Sequence, residues 1–155
     1  MPKTVLIVYH SNTCKTEKMT TSIVKGVEES GAKAVLRRVD ECSVADLAAA
    51  DALAVGSPTH YGNVAWQVKR FMDEKLLAFY SEGHSLKDKP CGCFTSTGGL
   101  GDGEECLRIL ERAFGVTLKM KIIPGLVLES TQIDGNLSGC VDFGRKIGLA
   151  AHTRV

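Results

Sequence analysis

A chain of 155 residues is long enough for one well-packed domain and short for two, and its 44% apolar and 24% charged residues exclude a disordered or fibrous polymer. The formal net charge of +1, with basic and acidic residues mixed along the chain, supplies no field for nucleic acid or an anionic membrane. No apolar run approaches a bilayer span and the start lacks a signal-peptide cleavage pattern, so the expected location is the cytoplasm.

The first strand is expected in "TVLIVY" (4–9). A helix follows from about Lys15 to Ser30, with Met19, Ile23, Val24 and Val27 on one stripe and Gly31 beyond the last turn. "KAVLRRV" (33–39) reads as the second strand, and "SVADLAAA" as a short helix capped by Ser43. "ALAVGS" (52–57) is the third strand. The helix after it is expected from about Val64 through Lys75, burying Val64, Val68, Phe71 and Met72. "CGCFTST" (91–97) is the fourth strand, and the next helix starts near Gly103, gathers Cys106, Leu107, Leu110 and Phe114, and ends at Gly115. "IIPGLVLES" (122–130) is the fifth strand, and about Ser138 to Ala151 the last helix.

Several of these strands lack apolar/polar alternation, as a parallel sheet covered by helices on both faces requires. Strand and helix alternating over the whole chain predict an open three-layer α/β sandwich with right-handed crossovers. In such folds ligands bind beyond the carboxyl ends of the strands. The six cysteines (Cys14, Cys42, Cys91, Cys93, Cys106, Cys140) are expected to be reduced. The C-x-C pair in "PCGCFTS" places both thiols on one strand face, for packing, and no partner cluster completes a metal site.

Three loops stand at strand ends. After strand one, Ser11, Asn12, Thr13 and Thr16 bring hydroxyls and an amide to the amino end of a helix, where free N–H groups and the dipole favour an anion such as phosphate. Lys15 can add a charge. The spaced glycines of a Walker loop or a dinucleotide fold are missing, and a capped helix start with a polar loop is the alternative reading. After strand three, Ser57, Pro58, Thr59, His60, Tyr61, Gly62 and Asn63 combine a stiff backbone, a glycine and an aromatic face suited to a planar ring system. A plain turn with Asn63 as helix cap is the other reading. After strand four, "TSTGGLGDGEE" allows main-chain N–H groups to face a ligand, although a surface turn has the same composition.

"SNTCKTE" resembles the phosphate loop of flavodoxins, S/T-x-T-G-N-T-E, with Cys14 for the glycine and Lys15 for the asparagine. "GSPTHYGNVAWQVKRFMD" and "FTSTGGLGDGEE" are similar to the second and third flavin loops of the flavodoxin-like NAD(P)H:quinone oxidoreductases, first named as tryptophan-repressor-binding proteins. The resemblance implies a five-stranded parallel sheet of order 2-1-3-4-5 and FMN as cofactor. It implies a phosphate held by Ser11, Thr13 and Thr16 within a loop that also contains Asn12, Cys14 and Lys15. Pro58, Thr59, Tyr61, Gly62 and Asn63, with Ser57 and His60 beside them, would contact the isoalloxazine and ribityl. Thr97, Gly98 and Gly99, with Gly101 and Asp102, would line its other side.

The implied activity is two-electron transfer from NAD(P)H to a quinone-like acceptor. Electron-carrier flavodoxins are strongly acidic as a family, and a chain of charge +1 favours an enzyme over a one-electron shuttle. The shuttle and a flavin-binding domain without catalysis are the alternatives. A phosphorylated receiver is set aside, since Tyr9-His10 and Gly56-Ser57 stand where its acidic residues belong. Expected partners are a small-molecule acceptor or a redox protein, and a homo-oligomer remains open. His10 and His60 lie at the expected mouth, where either can donate to a flavin edge or protonate a quinone oxygen; His60 is the catalytic candidate. Trp66 falls off the buried stripe of its helix, as a subunit contact, an acceptor-pocket wall, or a side chain under a neighbouring loop.

Overall fold

The computed structural model describes residues 1–99 and 101–153. In chain order the strands are β1 (Thr4–Tyr9), β2 (Lys33–Arg38), β3 (Ala52–His60), β4 (Asn63–Val64), β5 (Pro90–Thr97) and β6 (Lys121–Glu129). The helices are α1 (Lys15–Glu29), α2 (Val44–Ala49), α3 (Trp66–Phe71), α4 (Leu77–Ser81), α5 (Gly103–Glu111), α6 (Ser130–Ile133) and α7 (Ser138–Thr153). A wide π-helical turn at Met72–Leu76 joins α3 to α4, and a second at Arg112–Thr117 extends α5.

Neighbouring strands run β2-β1-β3-β5-β6, all parallel, and β4 pairs antiparallel with the end of β3. Leaving out the two-residue β4, this is the expected 2-1-3-4-5 order. Register is set centrally by Val5 opposite Ala52 and Tyr9 opposite Gly56, then Ser57 opposite Thr95.

Side chains alternate across a strand, and here both faces are apolar. Val5, Ile7 and Tyr9 of β1 join Met19, Ile23 and Val27 of α1 and Phe143 and Ile147 of α7 in one buried cluster. Leu6 and Val8 join Leu47, Val68, Phe71, Phe79, Leu110 and Phe114 on the other face. Cys91 and Cys93 share that second cluster, as the C-x-C spacing requires. Helices α1 and α7 approach closely because Gly144 faces α1; a Cβ there would lie 2.1 Å from Ile23 O, a contact no side chain survives.

Several expected boundaries move. β3 runs three residues past Ser57, because Thr59 and His60 find partners in Val64 and Asn63. Val64 is therefore a strand residue, and the third helix begins only at Trp66. That helix continues through its π turn to Ser81 instead of stopping at Lys75, burying Leu76 and Phe79. β6 ends at Glu129 and a short helix, α6, intervenes before α7. Within β6, Pro124 and Gly125 fall where the pairing with β5 shifts register between Gly92 and Phe94. A residue without N–H is tolerated at such a bulge on an edge strand. Among the described residues no helix is long and apolar enough to cross a membrane.

Candidate cofactor site

The three loops meet at the carboxyl ends of β1, β3 and β5, and polar pairs lock the segments together. Asn12 Nδ2 donates to His60 Nε2 at 3.3 Å, joining the first loop to the second. Thr16 and Ser96 share a hydroxyl hydrogen bond of 2.9 Å, joining the base of the first to β5. Thr59 and Thr95 share another of 2.7 Å. The hairpin tip also adjoins the third loop, since a Cβ at Gly62 would lie 3.8 Å from Glu105 Cβ and 3.9 Å from Asp102 Cβ.

In the first loop Cys14 precedes α1 at φ 66°, and its side chain does not cap the helix. An L residue in the left-handed region costs about 1 kcal/mol. Of the first-turn N–H groups, that of Glu17 donates to Ser11 Oγ at 3.3 Å, and those of Lys15 and Thr16 have no side-chain acceptor among the described residues. The Ser11 carbonyl is itself fixed by Arg38, whose Nη2 donates to it at 2.9 Å while the guanidinium sits 5.3 Å from the Tyr9 ring centre. Burial raises the Tyr9 phenol, with Arg38 opposing the shift. Asn12 and Thr13 are exposed. His10 Nε2 donates to Asn12 Oδ1, and the His10 N–H bonds Gly56 O at 3.2 Å.

Two first-loop expectations change. Thr16 is only 1% exposed, with its hydroxyl committed to Ser96, so its side chain ties α1 to β5. Lys15 adds no free charge to the loop: its ammonium is bound to Asp134 at 2.5 and 2.6 Å, and Lys18 reaches the same carboxylate at 3.3 Å. Those two cations hold the Asp134 carboxyl below its usual range.

In the second loop Tyr61 and Gly62 have φ of 54° and 74°, the pair of positive values that a two-residue hairpin of matching twist needs. Glycine supplies this without strain, and tyrosine does not. Tyr61 is fully exposed, so its strained backbone presents an aromatic ring to solvent at the rim. Ser57 is buried; its Oγ donates to Pro58 O at 2.8 Å and accepts from Ala65 N at 2.9 Å, and α3 follows with Ala65 as its N-cap residue and no side-chain cap, so Asn63 does not cap it. Asn63 Oδ1 instead accepts from Val64 N at 2.7 Å.

In the third loop Thr97 Oγ1 donates to Asp102 Oδ1 at 2.8 Å across the glycine run. Among the described residues nothing lies within 4 Å of where a Cβ would stand on Gly98 or Gly101. A Cβ on Gly99 would meet Glu129 Oε2 at 3.4 Å. Asp102 and Glu129 thus adjoin this loop, while Glu105 is paired with Arg108. Glu129, Asp134 and Arg38 were not legible in the sequence as neighbours of the site, whereas Ser96 had a local signal, as a hydroxyl beside the glycines.

Thiol chemistry is confined to one position. Burial pushes the Cys42 thiol up to about 12 and Cys140 up to about 11. Cys106 is likewise raised by burial, and Cys93 is raised by its hydrogen bond with Cys91 and by burial. Cys14 alone among the six is exposed. Among the described residues no cluster of three or more His, Cys, Asp or Glu side chains is placed to hold a metal ion.

The family profile described as flavodoxin matches residues 7–120, a span that includes all three loops. The chain belongs to the flavodoxin family. A flavodoxin of Aquifex aeolicus is 38% identical over 123 residues, which cover 73% of this chain and 65% of that protein. An NAD(P)H dehydrogenase (quinone) of Geobacter sulfurreducens is 32% identical over 167 aligned positions, covering 90% of this chain and 81% of its own length. The flavodoxin, WrbA-like protein from Agrobacterium tumefaciens has a solved structure that superposes with a TM-score of 0.81 at 25% identity, over 97% of this chain and 98% of that one. The chain spans 57 to 65% of the length of several curated relatives.

FMN is the cofactor of flavodoxins, and this chain suits it. First-turn amides of Lys15 and Thr16 without side-chain acceptors among the described residues, an exposed aromatic on a rigid hairpin, and glycines open to close approach all occur on one rim.

Proposed function

We propose that this flavodoxin is an FMN-dependent oxidoreductase passing two electrons from NAD(P)H to a quinone-like acceptor. The observation that carries the reading is the convergence of three loops, tied by the Asn12–His60, Thr16–Ser96 and Thr59–Thr95 pairs, at the ends of the central strands. Bound flavin supplies hydride and electron chemistry, and the chain supplies position and electrostatics. The first-turn amides of α1, with Ser11 and Thr13, hold the phosphate; Asn12, Cys14 and Lys15 shape that loop, and Thr16 anchors it from below. Tyr61 stands at the rim as a ring wall, with Pro58, Thr59, Gly62 and Asn63 presenting backbone beside it. Thr97, Gly98, Gly99 and Gly101, braced by Asp102, close the other side. His60 Nε2 accepts from Asn12, and the imidazole is the group able to hand a proton to a reduced acceptor at the mouth.

The relatives named as quinone dehydrogenases support the donor and acceptor at family level. One feature favours a second reading, an electron carrier. Asp102 and Glu129 adjoin the third loop, and carboxylates disfavour an anionic reduced flavin, lowering its potential. Anaerobic stopped-flow mixing of FMN-loaded protein with NADH or NADPH separates the two. Rapid loss of the oxidised-flavin band is expected for the reductase; a flavin unchanged by either nucleotide would leave the carrier.

A further inference from the structure

Arg38 ends β2 opposite Tyr9 of β1, and its side chain reaches into the first loop. The guanidinium lies 5.3 Å from the centre of the buried Tyr9 ring, and Nη2 donates to the Ser11 carbonyl at 2.9 Å. A planar fork already stacked on an aromatic face loses little further freedom when it grips a carbonyl. Tyr9 is held in turn by Glu17, whose Oε1 accepts from the phenol at 3.4 Å and whose backbone N–H donates to Ser11 Oγ at 3.3 Å. The His10 N–H bonds Gly56 O at 3.2 Å. The chain leaving β1 is thus fixed at His10 and Ser11 by β2, β3 and α1.

Gripping that carbonyl aims an amide. No described peptide bond is cis, and in a planar trans peptide the C=O and the N–H that follows it point in opposite directions. With Ser11 C=O turned toward Arg38, the Asn12 N–H is turned away from it and has no acceptor among the described residues. A donor fixed in advance costs little ordering when an anion arrives.

Charge reinforces the geometry. Lys15 and Lys18 are both engaged by Asp134, and Arg37 by Asp46 at 3.2 Å. Arg38 has no ion pair among the described residues. Of the carboxylates on the cavity that Arg38 lines, Glu74 is paired with Arg70 at 3.2 Å, and Asp40 is the other. A hydrogen bond from a cation polarises the Ser11–Asn12 peptide and makes its N–H the stronger donor. A guanidinium does this at any pH the fold survives, since it does not deprotonate in proteins.

We propose that Arg38 is a positioning residue for the FMN phosphate: by holding Ser11 C=O it presents the Asn12 N–H to that group, and so sets a preference for the phosphorylated flavin over riboflavin. The assignment rests on phosphate lying at the first loop, as in the function proposed above, and is independent of the electron donor and acceptor.

Flavin-free protein is titrated with FMN and with riboflavin, which lacks the phosphate, in the parent, Arg38→Met and Arg38→Lys. Methionine keeps an unbranched chain over Tyr9 without donor or charge, and lysine keeps the charge without the planar fork. FMN affinity is expected to fall about tenfold in Arg38→Met and about threefold in Arg38→Lys, with riboflavin affinity within about twofold of the parent in both. A purely structural role weakens both flavins together, so an unchanged FMN-to-riboflavin ratio in either folded variant overturns the proposal. In the 15N-labelled parent the Asn12 amide proton is expected to move downfield with FMN and not with riboflavin; an equal response to both overturns it as well. A parent that prefers FMN while Arg38→Met and Arg38→Lys keep that preference refutes the positioning role and leaves the phosphate site in place. A parent that binds the two flavins equally removes the phosphate site, and the proposal with it.

Discussion

The Lys15 ammonium lies 2.5 Å from Asp134 Oδ1, so the one cation inside the first loop is neutralised by a carboxylate 119 residues away. An anion at the start of α1 is left to backbone N–H groups and hydroxyls. Because Lys15 and Lys18 depress the Asp134 carboxyl, the pair is intact above the ordinary carboxylate range and is lost only as pH falls through the lowered value. Across roughly pH 5 to 8 it therefore persists. Asp134→Asn is expected to free Lys15 and tighten FMN binding several-fold at low ionic strength, with the gain vanishing in high salt. Fluorescence titration of flavin-free protein with FMN at two salt concentrations measures this; an unchanged affinity would show that Lys15 does not reach the phosphate.

Cys14 should be the sole thiol that reacts quickly in the folded protein, since the other five are buried. Ellman's reagent is expected to label one thiol per chain natively and six after unfolding. FMN should slow the native reaction. Cys14→Gly removes the left-handed strain at φ 66° and should raise stability by roughly 0.5–1 kcal/mol, the strain relief being partly offset by glycine's entropy. Urea unfolding of the flavin-free protein checks the sign.

The two threonines of the first loop separate cleanly. Thr13 is exposed, and Thr13→Ala should weaken FMN binding at unchanged stability. Thr16 is buried against Ser96, and Thr16→Val should cost about 1–3 kcal/mol by stranding the Ser96 hydroxyl. Equal losses of stability in both variants would contradict the division of labour.

Among the described residues none lies within 4 Å of a Cβ at Gly98, so Gly98→Ala should leave the flavin-free protein within about 0.5 kcal/mol of the parent. FMN affinity should nonetheless fall at least tenfold if the ligand approaches the backbone there. Thermal unfolding with and without FMN reads both effects, and equal shifts in the two states would place the ligand away from this glycine.

How much of this was legible beforehand follows from how local each signal is. The five strands rest on apolar runs of strand length and their order on the resemblance of the loops to flavodoxins, and Ser43 capped its helix as its residue type implies, with Asp46 completing the reciprocal cap. The β3–β4 hairpin was hidden because a Tyr-Gly turn lacks the usual Asn-Gly or Asp-Gly signature, with tyrosine forced to positive φ by the hairpin itself. The third helix ran past Lys75 because Leu76 and Phe79 keep contact with the sheet only after the wide turn at Met72–Leu76 resets their phase. The commitments of Thr16 to Ser96 and of Lys15 to Asp134 are set by elements far apart in sequence, and no spacing rule reports them. Trp66, by contrast, lay off the buried stripe and is exposed.

The most direct measurement is titration of the flavin-free chain with FMN, read as quenching of flavin fluorescence with the visible spectrum of the product. The account predicts one FMN bound per chain, with a structured, shifted oxidised-flavin band. Free-flavin fluorescence persisting through an excess of folded protein would contradict it.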